Sequence, residues 1–100
     1  MNQKVVDGIR ANIIEICDGE AQTMQQIIAD GRMTHFVARY SKEEISKIVY
    51  ALVGSGALFV SGRTKAALYV ATDNGREFKP IYMASFEAVL SEWQDLISDE

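Results

Sequence analysis

The 100 residues include one cysteine, one proline, one histidine and one tryptophan. A single cysteine, Cys17, excludes an intramolecular disulfide and fits a reducing compartment. One histidine and one cysteine cannot assemble a tetrahedral zinc site, so no metal is expected. Long apolar runs are missing too. The longest, around residues 50–60, is too short and interrupted to span a bilayer, and no N-terminal apolar run resembles a signal peptide. These absences point to a cytoplasmic protein with no membrane role. No glycine-rich phosphate loop follows a strand, and the acids near the termini have no basic or nucleophilic partner in sequence. The sequence therefore predicts no enzyme, no catalytic residue and no cofactor.

What is present is the composition of one globular domain. Apolar residues make up 48% and charged residues 24%, enough to build one modest core. Net charge is −4, but the charge is segregated. Residues 1–31 hold two basic and five acidic residues, residues 32–79 hold eight basic and four acidic, and residues 80–100 hold five acids and no base. A basic middle between acidic ends is one form that a phosphate-facing surface on an acidic protein can take, although chance arrangement produces it as well.

Apolar periodicity organises the chain. Val5, Val6, Ile9, Ile13, Ile16 and Cys17 recur at three- and four-residue steps, which predicts a helix over 4–17 ended by Asp18-Gly19. Thr23 with Gln26 forms a capping-box pattern opening a short helix that Gly31 closes. Residues 32–40, RMTHFVARY, alternate loosely and are read as an extended connection with room for a helical turn. Ser41 with Glu44 makes a second capping box. The helix it opens buries Ile45, Ile48, Val49 and Leu52, exposes Glu43, Ser46, Lys47 and Tyr50, and stops at Gly54 and Gly56. Two β-rich runs, 57–61 and 66–72, flank Gly62-Arg63-Thr64-Lys65 and predict a hairpin. Thr72, Asp73 and Asn74 can cap a last helix, with Ser85 as a second capping point and Pro80 expected to kink or divide it. The fold class expected is α+β, mainly α: three helices, a two-stranded hairpin and a long C-terminal helix. One domain covers residues 1–100, with 1–78 as core and hairpin and 79–98 as the terminal helix.

Three stretches, KIVYALVGSGALFVSG, ALYVATDNGREF and GREFKPIYMASFEAVLSEW, make the chain resemble winged helix-turn-helix transcription regulators of bacterial, plasmid or phage type, HxlR-like and MarR-like. It departs from them in a longer connection before the third helix, in lacking the N-terminal cysteine motif, and in its acidity. The resemblance implies double-stranded DNA as partner, with the third helix in the major groove and the hairpin as a wing on the backbone. Lys42, Ser46, Lys47 and Tyr50 would then face bases and phosphates, Arg63, Thr64 and Lys65 would sit at the wing tip, and Arg32, His35 and Arg39 would add phosphate contacts. It also implies a homodimer through the terminal helix, where Phe86, Val89, Leu90, Trp93 and Leu96 form an apolar stripe. The same residues admit plainer readings. Glu43 pairing with Lys47 and Glu44 closing its capping box would suit a merely solvated helix face, charged turns are common on hairpins, and Cys17 reads as inert core. Acidity and an aromatic terminal helix also fit a winged-helix module repurposed to bind a host protein.

Overall fold

A computed structural model describes residues 2–90. The architecture is α+β, mainly helical, with a small antiparallel sheet. Helix α1 spans Gln3–Ile16, strand β1 Gln22–Thr23, α2 Met24–Ala29, α3 Thr34–Arg39 and α4 Lys42–Gly54. Strands β2, Leu58–Ser61, and β3, Leu68–Ala71, follow, and α5 covers Asp73–Glu87. No described helix is long and apolar enough to cross a membrane.

Both predicted capping boxes form. The Thr23 hydroxyl accepts from the Gln26 amide at 3.1 Å while the Gln26 side chain accepts from the Thr23 amide at 2.8 Å. Ser41 and Glu44 repeat the arrangement at 3.1 and 3.2 Å. The stretch 32–40 departs from expectation. A 3-10 turn at Gly31–Met33 leads into α3, so the chain is helical where an extended connection was expected. Its reason is burial: Met33 and Phe36 point into the core, with Val37 and Tyr40 packed at its edge, a helical spacing that the β-like composition masked. Only Tyr40 and Ser41 separate α3 from α4.

The end of α4 is a Schellman motif. The amide of Gly56, at φ +85°, bonds to Val53 O at 3.1 Å, and that of Ala57 to Leu52 O at 2.9 Å. Thr72 then ties three elements together. Its amide donates to Ala57 O, its hydroxyl donates to Gly56 O, and the same hydroxyl accepts from the Gly75 amide as the N-cap of α5. Gly75 lies so close to the strand that a Cβ there would stand 2.2 Å from Ala57 O. Helix α5 begins at this cap and runs through Pro80 undivided, and Ser85 caps nothing because it lies inside the helix.

The sheet has the order β1-β3-β2. The hairpin pairs Leu58 with Ala71 and Val60 with Tyr69, and these four side chains turn toward the core or its margin. Strand β1, which sequence reading missed, pairs Gln22 with Tyr69. The core gathers Ile9, Ile13 and Ile14 from α1, Ile27 from α2, and Ile45, Val49 and Leu52 from α4. Helix α5 lies along α1, where Gly8 leaves a notch for the Phe86 ring, since a Cβ at Gly8 would approach that ring to 2.5 Å. Phe86 is 5% exposed and stacks at a tilt on Phe36, with centroids 5.8 Å apart. It is therefore a core residue of the monomer, a correction to its expected place on a dimer surface. Val89 and Leu90 are half-buried against the same core, while Trp93 and Leu96 lie outside the described residues.

Candidate nucleic-acid interface

Helix α4 presents Lys42, Lys47 and Tyr50 to solvent, with Ser46 half-buried beside them. The spacing that buries Ile45, Ile48, Val49 and Leu52 forces this face outward. Glu44 is held in the capping box, so one of the two acids in the first turn is committed to the backbone. The expected Glu43–Lys47 pair does not form. Lys42, Lys47, Arg63 and Lys65 make no ion pair among the described residues.

The hairpin loop is longer than the four residues expected. Thr64–Ala66 form a 3-10 turn, and β3 begins only at Leu68. Thr64 adopts φ +58°, a left-handed conformation that β-branched residues rarely accept, and its hydroxyl donates to Arg63 O at 2.7 Å. The turn folds Lys65 back toward the helices instead of leaving it at a hairpin tip.

Two clefts meet at Lys65. The first, about 630 Å³, lies between the second half of α4 and the hairpin, with Tyr50, Val53, Val60, Thr64, Lys65 and Tyr69 on its walls. The second, about 710 Å³, is floored by Met24, Ile28 and Val37 and bordered by Lys42 and Lys65. The fold thus brings together Lys42, Tyr50, Thr64 and Lys65, from helix and loop. Lys47 is one helical turn from Tyr50 on the same exposed face. Arg63 is exposed in the loop without lining either cleft.

Arg32 is not part of this group. Asp30 accepts from its backbone amide at 2.9 Å and from its guanidinium at 2.9 and 3.0 Å. That pairing holds the Asp30 carboxyl below, and the Arg32 guanidinium above, their ordinary ranges. Arg32 also feels the charge of Glu15, on α1, and is paired internally where a phosphate contact beside α4 was expected. Arg39 is exposed at the end of α3, as is His35 earlier in that helix.

Tyr69 is the site residue that sequence reasoning missed. It is 6% exposed, yet its hydroxyl has no hydrogen-bond partner among the described residues and is not a sealed-off buried atom. Tyr69 is also one of the residues that line the first cleft. Burial, with Tyr50 nearby, pushes its pKa up, so the phenol stays neutral. Strand alternation marks Tyr69 as inward-facing, but nothing in the sequence separates a core tyrosine from one that lines a cleft.

Cys17 is buried at the end of α1, and desolvation raises its pKa to about 12 against the opposing pull of Arg32. Its thiol is inert core. No protein-family profile, no curated protein and no solved structure matches the chain.

Proposed function

We propose that the chain is a DNA-binding transcription regulator of winged-helix type. In this reading α3 and α4 are the helix-turn-helix, α4 enters the major groove, and the loop between β2 and β3 is a wing on the backbone. The observation that carries it is the set of four cations on α4 and the loop, Lys42, Lys47, Arg63 and Lys65, that have no ion-pair partner among the described residues. Lysines suit phosphates or guanine, Ser46 is permissive, and Tyr50 suits a phosphate or a thymine methyl. The succession of α3 and α4 across a short turn supports the same reading, because two helices joined by a short turn make up such a motif. A net charge of −4 is compatible with it, since binding follows the local field.

The test is the double variant Arg63→Ala, Lys65→Ala. Removing one cation from a phosphate should make the slope of log affinity against log salt shallower by about 0.9, so the pair should remove up to about 1.8. Unchanged affinity and slope would remove the wing from the interface. The reading includes a homodimer, with half-sites about one DNA turn apart. Exposed Ile81 and half-buried Val89 and Leu90 on and after α5 supply apolar surface for it. Sedimentation of the free chain at the monomer mass of 11.1 kDa, together with one chain per duplex at saturation, would exclude that dimer.

A second reading, a module that binds a host protein, has its own observation. Phe59 is 60% exposed and Leu68 39%, and both lie on the outer face of the sheet, leaving an apolar patch without cover among the described residues. A gel-shift series on random duplex at low salt separates the two, because even a specific regulator retains non-specific affinity there.

A further inference from the structure

The cleft between α4 and the hairpin has an uneven chemistry. None of the described residues lining it is acidic, and it holds one ammonium, Lys65, two phenols, Tyr50 and Tyr69, and the Thr64 hydroxyl. The decisive group is the Tyr69 hydroxyl. A tyrosine more than nine-tenths buried ordinarily satisfies its oxygen within the protein, whereas this oxygen, on a residue that lines the cleft, has no partner among the described residues and is not sealed from solvent. As a neutral phenol it is a hydrogen-bond donor, and Lys65 is donor only. Thr64 has already committed its proton to Arg63 O. A site rich in donors, without an acid, asks for an anionic oxygen. The volume, about 630 Å³, is more than a bare inorganic anion needs and falls in the range of small-ligand pockets. Val53 and Val60 give the remainder an apolar wall.

We infer that this cleft holds one phosphate ester, with the Tyr69 hydroxyl and the Lys65 ammonium on its oxygens and the attached sugar and base against Tyr50 and the valines. The ester can come from a duplex backbone or from a free nucleotide. The first source rests on the duplex-binding reading above, while the site itself does not. If the source is a duplex, Tyr69 is a contact made from inside the domain, which fixes the backbone relative to the hydrophobic core instead of to a surface side chain.

Two measurements test this separately. In the first, thymidine 5′-monophosphate is titrated into the wild-type chain at constant ionic strength, and the tyrosine ring resonances are followed by NMR. Saturable shifts of Tyr69 and Tyr50 are expected. In the second, duplex affinity is measured for the wild type and for Tyr69→Phe, which keeps the ring and removes only the oxygen. Circular dichroism checks that the variant is folded. Loss of a charge-assisted hydrogen bond should weaken duplex binding by about tenfold or more. Nucleotide shifts without any duplex binding would support the site, assign it to a free nucleotide and overturn the duplex reading. Duplex binding that is unchanged in Tyr69→Phe, with no tyrosine shift on adding nucleotide, would overturn the site and leave the duplex reading standing. A response to neither ligand would overturn both.

Discussion

Two charged regions of this molecule use the same residue types in opposite ways. Where the end of α1 meets the start of α5, cations are consumed internally. Arg76 bonds Asp18 at 2.8 Å and Asp73 at 2.6 Å, Lys79 pairs with Glu15, and Arg32 pairs with Asp30 nearby. On α4 and the hairpin loop, Lys42, Lys47, Arg63 and Lys65 have no such partners among the described residues. All seven belong to the central stretch that sequence alone marks as basic. A charge count along the chain therefore overstates the surface available to a polyanion, because at least three of the eight cations in that stretch are paired with acids. What matters is which cations are left over and whether they stand near one another.

The comparison can be broken at its frame. Gly75→Ala should have the largest effect, because a Cβ there meets Ala57 O in the backbone and cannot be accommodated by a side-chain shift. A loss of about 1–3 kcal/mol or more is expected in urea unfolding. A variant of wild-type stability would mean that α5 is not braced on β2 as described.

The next effect falls on binding alone. Lys42→Gln with Lys47→Gln should make the salt dependence of duplex affinity shallower by up to about 1.8 and leave stability within about 0.5 kcal/mol. Arg76→Ala should do the reverse, lowering the melting temperature slightly at neutral pH without touching duplex affinity. Equal effects of the two variants on binding would erase the distinction between the regions.

The Arg76 effect should also depend on pH. Arg76 holds the Asp18 carboxyl below its ordinary value of 3.8. A carboxylate with a depressed folded pKa contributes stability that is present above its unfolded pKa and is lost as pH falls through the folded value. The melting-temperature difference between wild type and Arg76→Ala should thus hold from neutral pH down to about 5 and shrink below about 4. A difference that grows on acidification would contradict the pairing.

The smallest signal is at Cys17. With its pKa raised to about 12, the thiol should resist labelling at pH 8 and react only at the rate of unfolding. Rapid labelling of the native protein would place the thiol at the surface.

Much of the fold was legible because it is written in local code. The capping boxes at Thr23 and Ser41, the buried stripe of α4, the cap at Thr72 and the hairpin all depend on residues within a few positions of one another. The misses have a common cause. Helix α3 was hidden because Met33, Phe36, Val37 and Tyr40 fit two periods, and only packing on α1 and α5 chose the helical one. The two-residue strand β1 was invisible because its partner, β3, is more than forty residues away. In the candidate site, the exposed face of α4 was readable from helical spacing. The removal of Arg32 by Asp30 and the folding back of Lys65 over two clefts were not.

Sequence alone determined four of the five helices, the hairpin and the identity of the residues that α4 must turn outward, since periodicity and capping act over one or two turns. Tertiary structure decided that Phe86 fills the notch at Gly8 instead of facing a partner. It also decided which cations are neutralised and that Tyr69 lines a cleft with its hydroxyl unpartnered among the described residues. The Phe86 packing, the cleft and the Arg76–Asp18 and Lys79–Glu15 pairs depend on distances between residues far apart in the chain, and such distances exist only once the core has closed.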